Sequence, residues 1–345
     1  MGNVSTSSSG PRPSALFRAC RVFAHGASVE ARVTTMAVDD LSAGDVVVRV
    51  EYSSLNYKDA RAVTGRGRPI MRRLPLNAGI DLAGVVESST DPRFTTGTKV
   101  IANGMGLGEA HDGGFAEYAR VPGDWLIPLP DALTPRSAMA FGTAGYTAAL
   151  CVHRMEINGQ RPAMGPIVVT GATGGVGSIA VRLLATRGYQ VIALSGRPEH
   201  HDWLRDVGAT DVRTAEQLEL GDKPLEKTRF GGVIDNVGGT LLAQLIPHVV
   251  EWGNIASVGL AGGSDVSTTV YPFILRGVSL LGASSANSPM PLRREIWSRL
   301  GGDLKVAEIE RFVTREIGLD EVVPTAVALL DRQLVGRAVV RLPLI

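Results

Sequence analysis

The segment Ile167–Gly177 reads IVVTGATGGVG, a β-branched run entering glycines, and the small-residue stretch VGSIAVRLLA overlaps its end. Glycines let a backbone approach a pyrophosphate with no Cβ in the way. The N-terminus of the following helix then offers free N–H groups and a positive dipole to the phosphates. Gly174, Gly175, Val176 and Gly177 are the candidate cradle. Ala172 stands where the first glycine of a G-x-G-x-x-G fingerprint would be. The weight therefore comes from context: a strand before, a helix after, and a second strand at the right distance. A glycine-rich turn without a ligand is the alternative.

That second strand ends in Ser195-Gly196-Arg197. A dinucleotide site that prefers NAD carries Asp or Glu here for the ribose 2′-hydroxyl. This sequence offers a hydroxyl and a guanidinium instead, and Arg grips a phosphate with charge-assisted, often bidentate, hydrogen bonds. The expected cofactor is NADPH. The alternative leaves Arg197 as a surface residue opening a helix.

Catalytic zinc needs three or four convergent ligands, and the sequence supplies no such set. Ser54–Ala60 reads SLNYKDA without Cys, and Asn77–Val85 reads NAGIDLAGV without a His-Glu pair. The six histidines show no metal-like spacing beyond the adjacent His200-His201, and adjacent side chains on a helix do not face one point. Without a Lewis acid, reduction of an already polarised C=C is favoured over alcohol oxidation. Hydride adds at the β-carbon and the charge passes to a carbonyl.

The elements that position these residues fall into two textures. From Leu16 to about Asp131, short β-favouring runs (46–52, 83–86, 98–101, 115–119) are separated by Gly, Pro, Asn and Asp, which predicts a compact all-β domain. From about Thr134, after a helix through Ala149, strands (167–170, 190–194, 232–235, 255–259, 280–283) alternate with helices (175–187, 199–207, 241–250). Such alternation predicts an α/β fold, a parallel sheet with helices on both faces. A helix over 321–330 and a strand over 337–342 could return to the first domain.

The chain has 345 residues, enough for two domains, with 44% hydrophobic and 20% charged residues and a formal net charge of +1. No global field favours nucleic acid or an anionic membrane. The longest apolar stretch, Ala138–Leu150, is interrupted by Gly142 and Gly145 and is shorter than the roughly 20 residues that span a bilayer. Two cysteines, Cys20 and Cys151, are too few for a disulfide framework, and a cytoplasmic, reducing compartment is expected. Residues 1–14 predict a disordered tail. They also match the acylation pattern M-G-x-x-x-[ST] at Gly2 and Thr6, and a single chain would anchor only marginally.

SLNYKDA, GIDLAGVV, HDGGFAEYARVP, ATGGVGSIAV, SGR, VGLAGG and PFILRGVSLLG together resemble the acrylyl-CoA reductase/quinone oxidoreductase branch of the zinc-independent medium-chain dehydrogenase/reductase superfamily, over roughly Leu16–Leu342. The resemblance implies a GroES-like β-barrel catalytic domain (15–138 and 285–345) and a Rossmann doubly wound parallel-sheet cofactor domain (139–284). The active site would lie between them. It implies a homodimer paired through the sheet edge around Val278–Ala283. It places Tyr57 at the nicotinamide end and Ser195 and Arg197 at the 2′-phosphate, with Arg213 and Leu260 near further cofactor contacts. Where the family carries Asn before the closing strand, this chain has Asp331-Arg332.

With hydride coming from the cofactor, the protein must orient substrate and stabilise an enolate. Tyr57 and Asn56 are the polar candidates, Tyr57 as donor to the α-carbon or to a thioester carbonyl, or as cofactor packing alone. Lys58 and Asp59 read as a local ion pair. Asp81 reads as a loop cap or a partner of Lys58, and His111 as a free loop histidine. Arg61, Arg66, Arg68, Arg72 and Arg73 make a basic loop. It suits the phosphates of a CoA thioester or is a solvated charged loop. The expected reaction is reduction of a short 2-enoyl-CoA such as acryloyl-CoA. The alternatives are a quinone or enone reductase and a non-catalytic, crystallin-like NADPH-binding protein.

Overall fold

The computed structural model describes residues 16–26 and 28–343. The expected tail and the Gly2 pattern lie outside the described residues. The first lobe is built from strands β1 (Phe17–His25), β2 (Ser28–Met36), β3 (Val46–Leu55), β4 (Leu76–Asn77), β5 (Asp81–Ser89), β6 (Lys99–Asn103), β7 (Tyr118–Val121) and β8 (Ile127–Pro128), with one short helix, α1 (Tyr57–Thr64). β3 is its spine, paired antiparallel with β5 and β7. Register shifts between Val47 and Val48 and between Val50 and Tyr52 mark the β3–β5 ladder, and such bulges bend a sheet toward closure. Gly84 is required there, because a Cβ would lie 2.1 Å from the Arg49 carbonyl oxygen. Val46, Val48, Val50, Leu82 and Phe115 fill the interior.

Helix α2 (Pro135–Ile157) leaves this lobe, capped by Thr134, whose hydroxyl accepts from Ser137 N. It runs on past the expected Ala149 and breaks at Gly142, at φ 52° and ψ −157°. One face of α2 packs on β3, β5 and β6, and the other meets the nucleotide lobe.

That lobe follows as β9 (Ile167–Val169), α3 (Gly175–Thr186), β10 (Val191–Leu194), α4 (His201–Val207), β11 (Asp211–Arg213), β12 (Phe230–Asp235), α5 (Gly239–Leu245), β13 (Val249–Ser257), α6 (Tyr271–Arg276) and β14 (Ser279–Gly282). Its six strands are all parallel, in the order β11-β10-β9-β12-β13-β14. This is the doubly wound arrangement whose crevice opens where the order reverses, between β9 and β12. Two elements are shorter than expected. Pro198 opens a 3₁₀ turn before α4. Pro247 lies in the 3₁₀ turn that ends α5, so Val249 and Val250 start β13 instead of closing a helix.

The chain returns through α7 (Met290–Gly301), whose Ile296, Trp297 and Leu300 enter the core behind α2. Then β15 (Val313–Ile317), α8 (Val322–Leu330) and β16 (Arg337–Arg341) rejoin the first lobe. β16 pairs with β3, Ala338 opposite Leu55. The nucleotide sheet is thus inserted between two parts of one β-lobe. No described helix is long and apolar enough to cross a membrane.

Candidate active site

At the crevice the carboxyl ends of β9 and β12 are tied together. Thr170 Oγ1 donates to Asp235 Oδ1 (2.8 Å) and accepts from Asn236 N (2.8 Å), while Asn236 Nδ2 donates to the Thr170 carbonyl (2.8 Å). Burial raises the Asp235 pKa, against the donors Thr170, Gly238 and Val237. Asn236 Oδ1 is buried without a donor among the described residues.

Above Thr170 the chain turns through Gly171 (φ 58°) and enters α3 with Gly174 as its cap residue. A Cβ on Gly177 would lie 2.4 Å from the Gly171 carbonyl oxygen, so the helix start sits directly on the turn. Gly174 and Gly175 are half-buried at its N-terminus, and the half-buried Val176 packs against the core.

One strand over, Ser195 is buried at the end of β10, and its hydroxyl accepts from Arg197 N (3.1 Å). A Cβ on Gly196 would meet nothing within 4 Å. Arg197 Nη1 donates to the carbonyls of Arg332 (2.9 Å) and Leu334 (3.2 Å), and Nη2 reaches Thr173 Oγ1 in the glycine turn. Burial lowers its pKa, Glu199 raises it and Arg332 lowers it. Arg213 is held by Asp211 (2.6 Å), and the Arg213 carbonyl accepts from Ser195 N. His201 Nε2 lies 3.2 Å from the Ser195 carbonyl. Leu260 is exposed beside the turn that joins Gly238 to Gly263.

Facing the glycine turn from the first lobe is a buried polar network that joins residues far apart in sequence. Asp81 accepts from Ser54 N (2.9 Å), Ser54 Oγ (2.7 Å), Asn56 Nδ2 (2.9 Å) and Thr143 N (2.8 Å). Asp59, also buried, accepts from Asn56 N (3.0 Å), Asn56 Nδ2 (3.1 Å) and Ile80 N (2.9 Å). Burial, and then the Asp81 charge, push the Asp59 carboxyl up to about 8. Arg337 on β16 donates to the Ala140 carbonyl (3.1 Å) and to Asn56 Oδ1 (3.3 Å). Burial lowers its pKa, and Asp81 and Asp59 oppose that. Gly142 breaks α2 because this network fills the space: a Cβ there would sit 2.3 Å from Ser54 Oγ and 2.6 Å from Arg337 Nη2. A Cβ on Gly175 would lie 3.1 Å from Arg337 Cδ, so the network backs directly onto the cradle.

Asn56 is therefore a scaffold for the helix that begins at Tyr57; its amide is taken up by internal partners. Tyr57 is 53% exposed at the first turn of α1. Three local readings change. Lys58 pairs with Glu109 (2.7 Å), not with Asp59 or Asp81. His111 is anchored, with Nε2 2.9 Å from the Ala43 carbonyl and its ring against Trp125. The basic loop is partly committed: Arg61 donates to the Arg66 and Arg68 carbonyls, Arg66 pairs with Asp331 (2.6 Å), and Arg73 donates to the Ala110 carbonyl (2.9 Å). Arg68 and Arg72 are exposed and make no side-chain bond among the described residues.

The donors present fit a phosphorylated dinucleotide and do not fit zinc. A glycine cradle at a helix N-terminus continues into a hydroxyl and guanidinium pair beside the open space over Gly196. Asn236 Oδ1, Thr143 Oγ1 and Arg337 Nη2 have no partner among the described residues. No group of three or more His, Cys, Asp or Glu among them could hold a metal. Cys20 and Cys151 lie in separate cores, each thiol pushed up to about 12 by burial. The sequence reading missed Thr173, Asn236 and Arg337, and it named Asp331-Arg332 without giving either a role. Only Asn236, just past the end of the β12 strand, carried a positional signal.

Residues 42–131 match the alcohol dehydrogenase GroES-like domain, and residues 175–299 match the zinc-binding dehydrogenase family. The putative quinone oxidoreductase YhfP of Bacillus subtilis is 46% identical over 330 residues, 95% of this chain and 100% of that protein. The probable acrylyl-CoA reductase AcuI of Escherichia coli is 48% identical over 314 residues, 90% of this chain and 95% of that one. Among solved structures, the YhdH oxidoreductase of Salmonella enterica in complex with NADP superimposes with a TM-score of 0.91 at 45% identity, covering 94% of this chain and 100% of that one. The Bacillus subtilis YhfP structure with NAD bound gives 0.92 at 46% identity, covering 95% and 100%. This agreement runs the length of both lobes, and the chain belongs to the acrylyl-CoA reductase/quinone oxidoreductase branch of the zinc-independent medium-chain dehydrogenases/reductases.

Proposed function

We propose that this chain is an NADPH-dependent reductase of an activated C=C bond, its substrate a short 2-enoyl-CoA thioester such as acryloyl-CoA. The observation that carries the reading is Arg197. A guanidinium, with no carboxylate in the ribose position, reaches from the end of β10 to Thr173 in the glycine turn. The probable acrylyl-CoA reductase of Escherichia coli, at 48% identity, supports the substrate.

When bound, NADPH supplies the hydride that adds to the β-carbon. Gly174, Gly175, Val176 and Gly177 hold the pyrophosphate at the α3 N-terminus. Ser195, Gly196 and Arg197 hold the 2′-phosphate, and Arg213 and Leu260 flank the nucleotide. Tyr57 hydrogen-bonds the thioester carbonyl or hands a proton to the α-carbon, and Asn56 fixes the helix that presents it. Arg68 and Arg72 meet the CoA phosphates; Arg66 and Arg73 are less available. The catalytic lobe comprises 15–138 and 285–345 and the cofactor lobe 139–284. A second copy pairs along the open edge of β14, beside the exposed Trp252, Tyr271, Ile274, Leu275 and Leu280. The compartment is the cytoplasm, consistent with two unpaired buried thiols.

A second reading, reduction of quinones or free enones, rests on the name of the Bacillus subtilis relative. Measuring kcat/KM with NADPH for acryloyl-CoA, free enones and a quinone separates the two. We expect the CoA ester to lead. No advantage for it, together with an Arg72→Glu variant that changes nothing, overturns the thioester.

A further inference from the structure

We infer that Met105, on the turn that follows β6, is the end wall of the acyl site, so that short 2-enoyl chains are taken and long ones excluded. The inference deepens the proposed reading and rests on it for the place of the substrate, in the crevice beside Tyr57.

The turn is fixed from both lobes. Asn103, the last residue of β6, pairs with Asp81 of the buried network, and Gly104 N donates to the Ile80 carbonyl (2.8 Å). Glu109, further along the same loop, takes Lys58, the neighbour of Tyr57. From the nucleotide lobe comes the stretch 284–289 between β14 and α7. Met105 N donates to the Ala286 carbonyl (3.2 Å), and a Cβ on Gly104 would lie 2.7 Å from that oxygen. The fully buried Arg293 of α7 donates to the carbonyls of Asn103 (2.6 Å), Ser285 (3.0 Å) and Ala286 (3.1 Å), so one guanidinium grips both sides of the seam. Met105 thus stands where the Tyr57 side of the barrel lobe meets the carboxyl end of the nucleotide sheet.

Its side chain is out of character for its backbone. Leu107 N donates to the Gly104 carbonyl (3.0 Å), and the central residues of that turn, Met105 and Gly106, have φ 56° and 93°. Turns with two positive φ values are dominated by Gly, Asn and Asp. A long side chain there carries strain that persists where it has a use. That use is not core packing: Met105 is half-buried but joins none of the hydrophobic cores of the described residues, whereas Met71 and Met290 do. What remains to shield it is the seam and the crevice, where an unbranched, polarizable thioether makes a close-fitting apolar stop. An acryloyl chain ends at its β-carbon; each further methylene has to displace the arm.

The test assays the full chain, Met105→Gly and Met105→Leu with NADPH on acryloyl-CoA, crotonyl-CoA and 2-hexenoyl-CoA. Glycine keeps φ 56° and removes the arm; leucine keeps the bulk. We expect the parent's kcat/KM to fall along the series. Met105→Gly should raise the hexenoyl-to-acryloyl ratio roughly ten-fold or more, and Met105→Leu should stay within about two-fold of the parent ratio. Damage to the fold lowers every substrate alike and leaves that ratio unmoved. A ratio unchanged in Met105→Gly, or a parent that reduces hexenoyl-CoA as well as acryloyl-CoA, overturns the wall and leaves the C=C reading intact. A parent inactive on every CoA ester overturns the thioester instead, and a ladder of free enones of growing chain length then reads the wall by the same ratio.

Discussion

The buried pair Asp59 and Asp81 makes a stability prediction with a definite sign. Both carboxylates are 0–1% exposed, and Arg337 at 4% is the cation that completes the network. With both ionised, the cluster carries one uncompensated buried negative charge; with one proton it is neutral. Burial and then the Asp81 charge raise the Asp59 carboxyl from an ordinary 3.8 to about 8. The folded chain therefore keeps a proton that the unfolded chain has released everywhere between those values. This contribution to stability is full below pH 4 and is lost as pH rises through 8. Taking release at 8, moving from pH 7 to pH 9 costs about 1.4 kcal/mol. In a chain of this size that lowers the apparent Tm by roughly 2 °C. Asp81→Asn removes the like charge, leaving burial as the remaining cause that raises the Asp59 pKa. Its overall stability falls because Ser54, Asn56 and Thr143 lose a charged acceptor, but its slope between pH 7 and 9 should be shallower than the parent's, with burial still raising Asp59. Thermal unfolding of both proteins at half-unit steps reads the slopes directly. A flat parent curve, or parallel falls in parent and variant, refutes the shared proton.

Other perturbations reach the same site from different directions. Gly142→Ala places a methyl 2.3 Å from Ser54 Oγ at φ 52°; we expect a loss of about 3 kcal/mol or more in chemical denaturation. Arg197→Ala should weaken NADPH selectively in fluorescence titration, and equal losses for NADH would remove its 2′-phosphate role. Tyr57→Phe should lower kcat by roughly ten-fold to a hundred-fold if its hydroxyl serves the enolate while leaving NADPH affinity unchanged; a kcat equal to the parent assigns the ring to packing alone. Arg68→Glu with Arg72→Glu should raise KM for acryloyl-CoA and leave KM for a free enone unaltered, with the effect fading as salt is added.

The fold was legible where its signals are local. The glycine turn, the alternating strands and helices and the returning strand at 337–342 each announce themselves within a dozen residues. Helix ends were legible less well, since Pro247 trades the tail of α5 for a strand start. Helix α1 was missed because YKDARAVT is short and polar, and its helical start rests on Asp59 accepting the Asn56 N–H, a contact whose value depends on burial. The site's deeper layer left no mark at all. Arg337 meets Asn56 across 281 positions, and no periodicity in either stretch carries that pairing. Lys58-Asp59 looked like an ion pair because adjacency is visible in sequence, whereas the Glu109 that takes the lysine is not.

Arg337 then explains why the two lobes cannot be considered separately. Its backbone opens β16 opposite Val313 of β15, its guanidinium holds Asn56 and the Ala140 carbonyl, and its methylene stem lies against Gly175. The cation of the buried network beneath Tyr57 also lies against the phosphate cradle at Gly175. A nucleotide pressing on that cradle and a proton entering the Asp59–Asp81 pair act on one guanidinium. Cofactor affinity should accordingly weaken across the same pH window in which stability is lost, and Asp81→Asn should reduce both dependences together. If the variant loses one dependence and keeps the other, the cradle and the network are neighbours without being coupled.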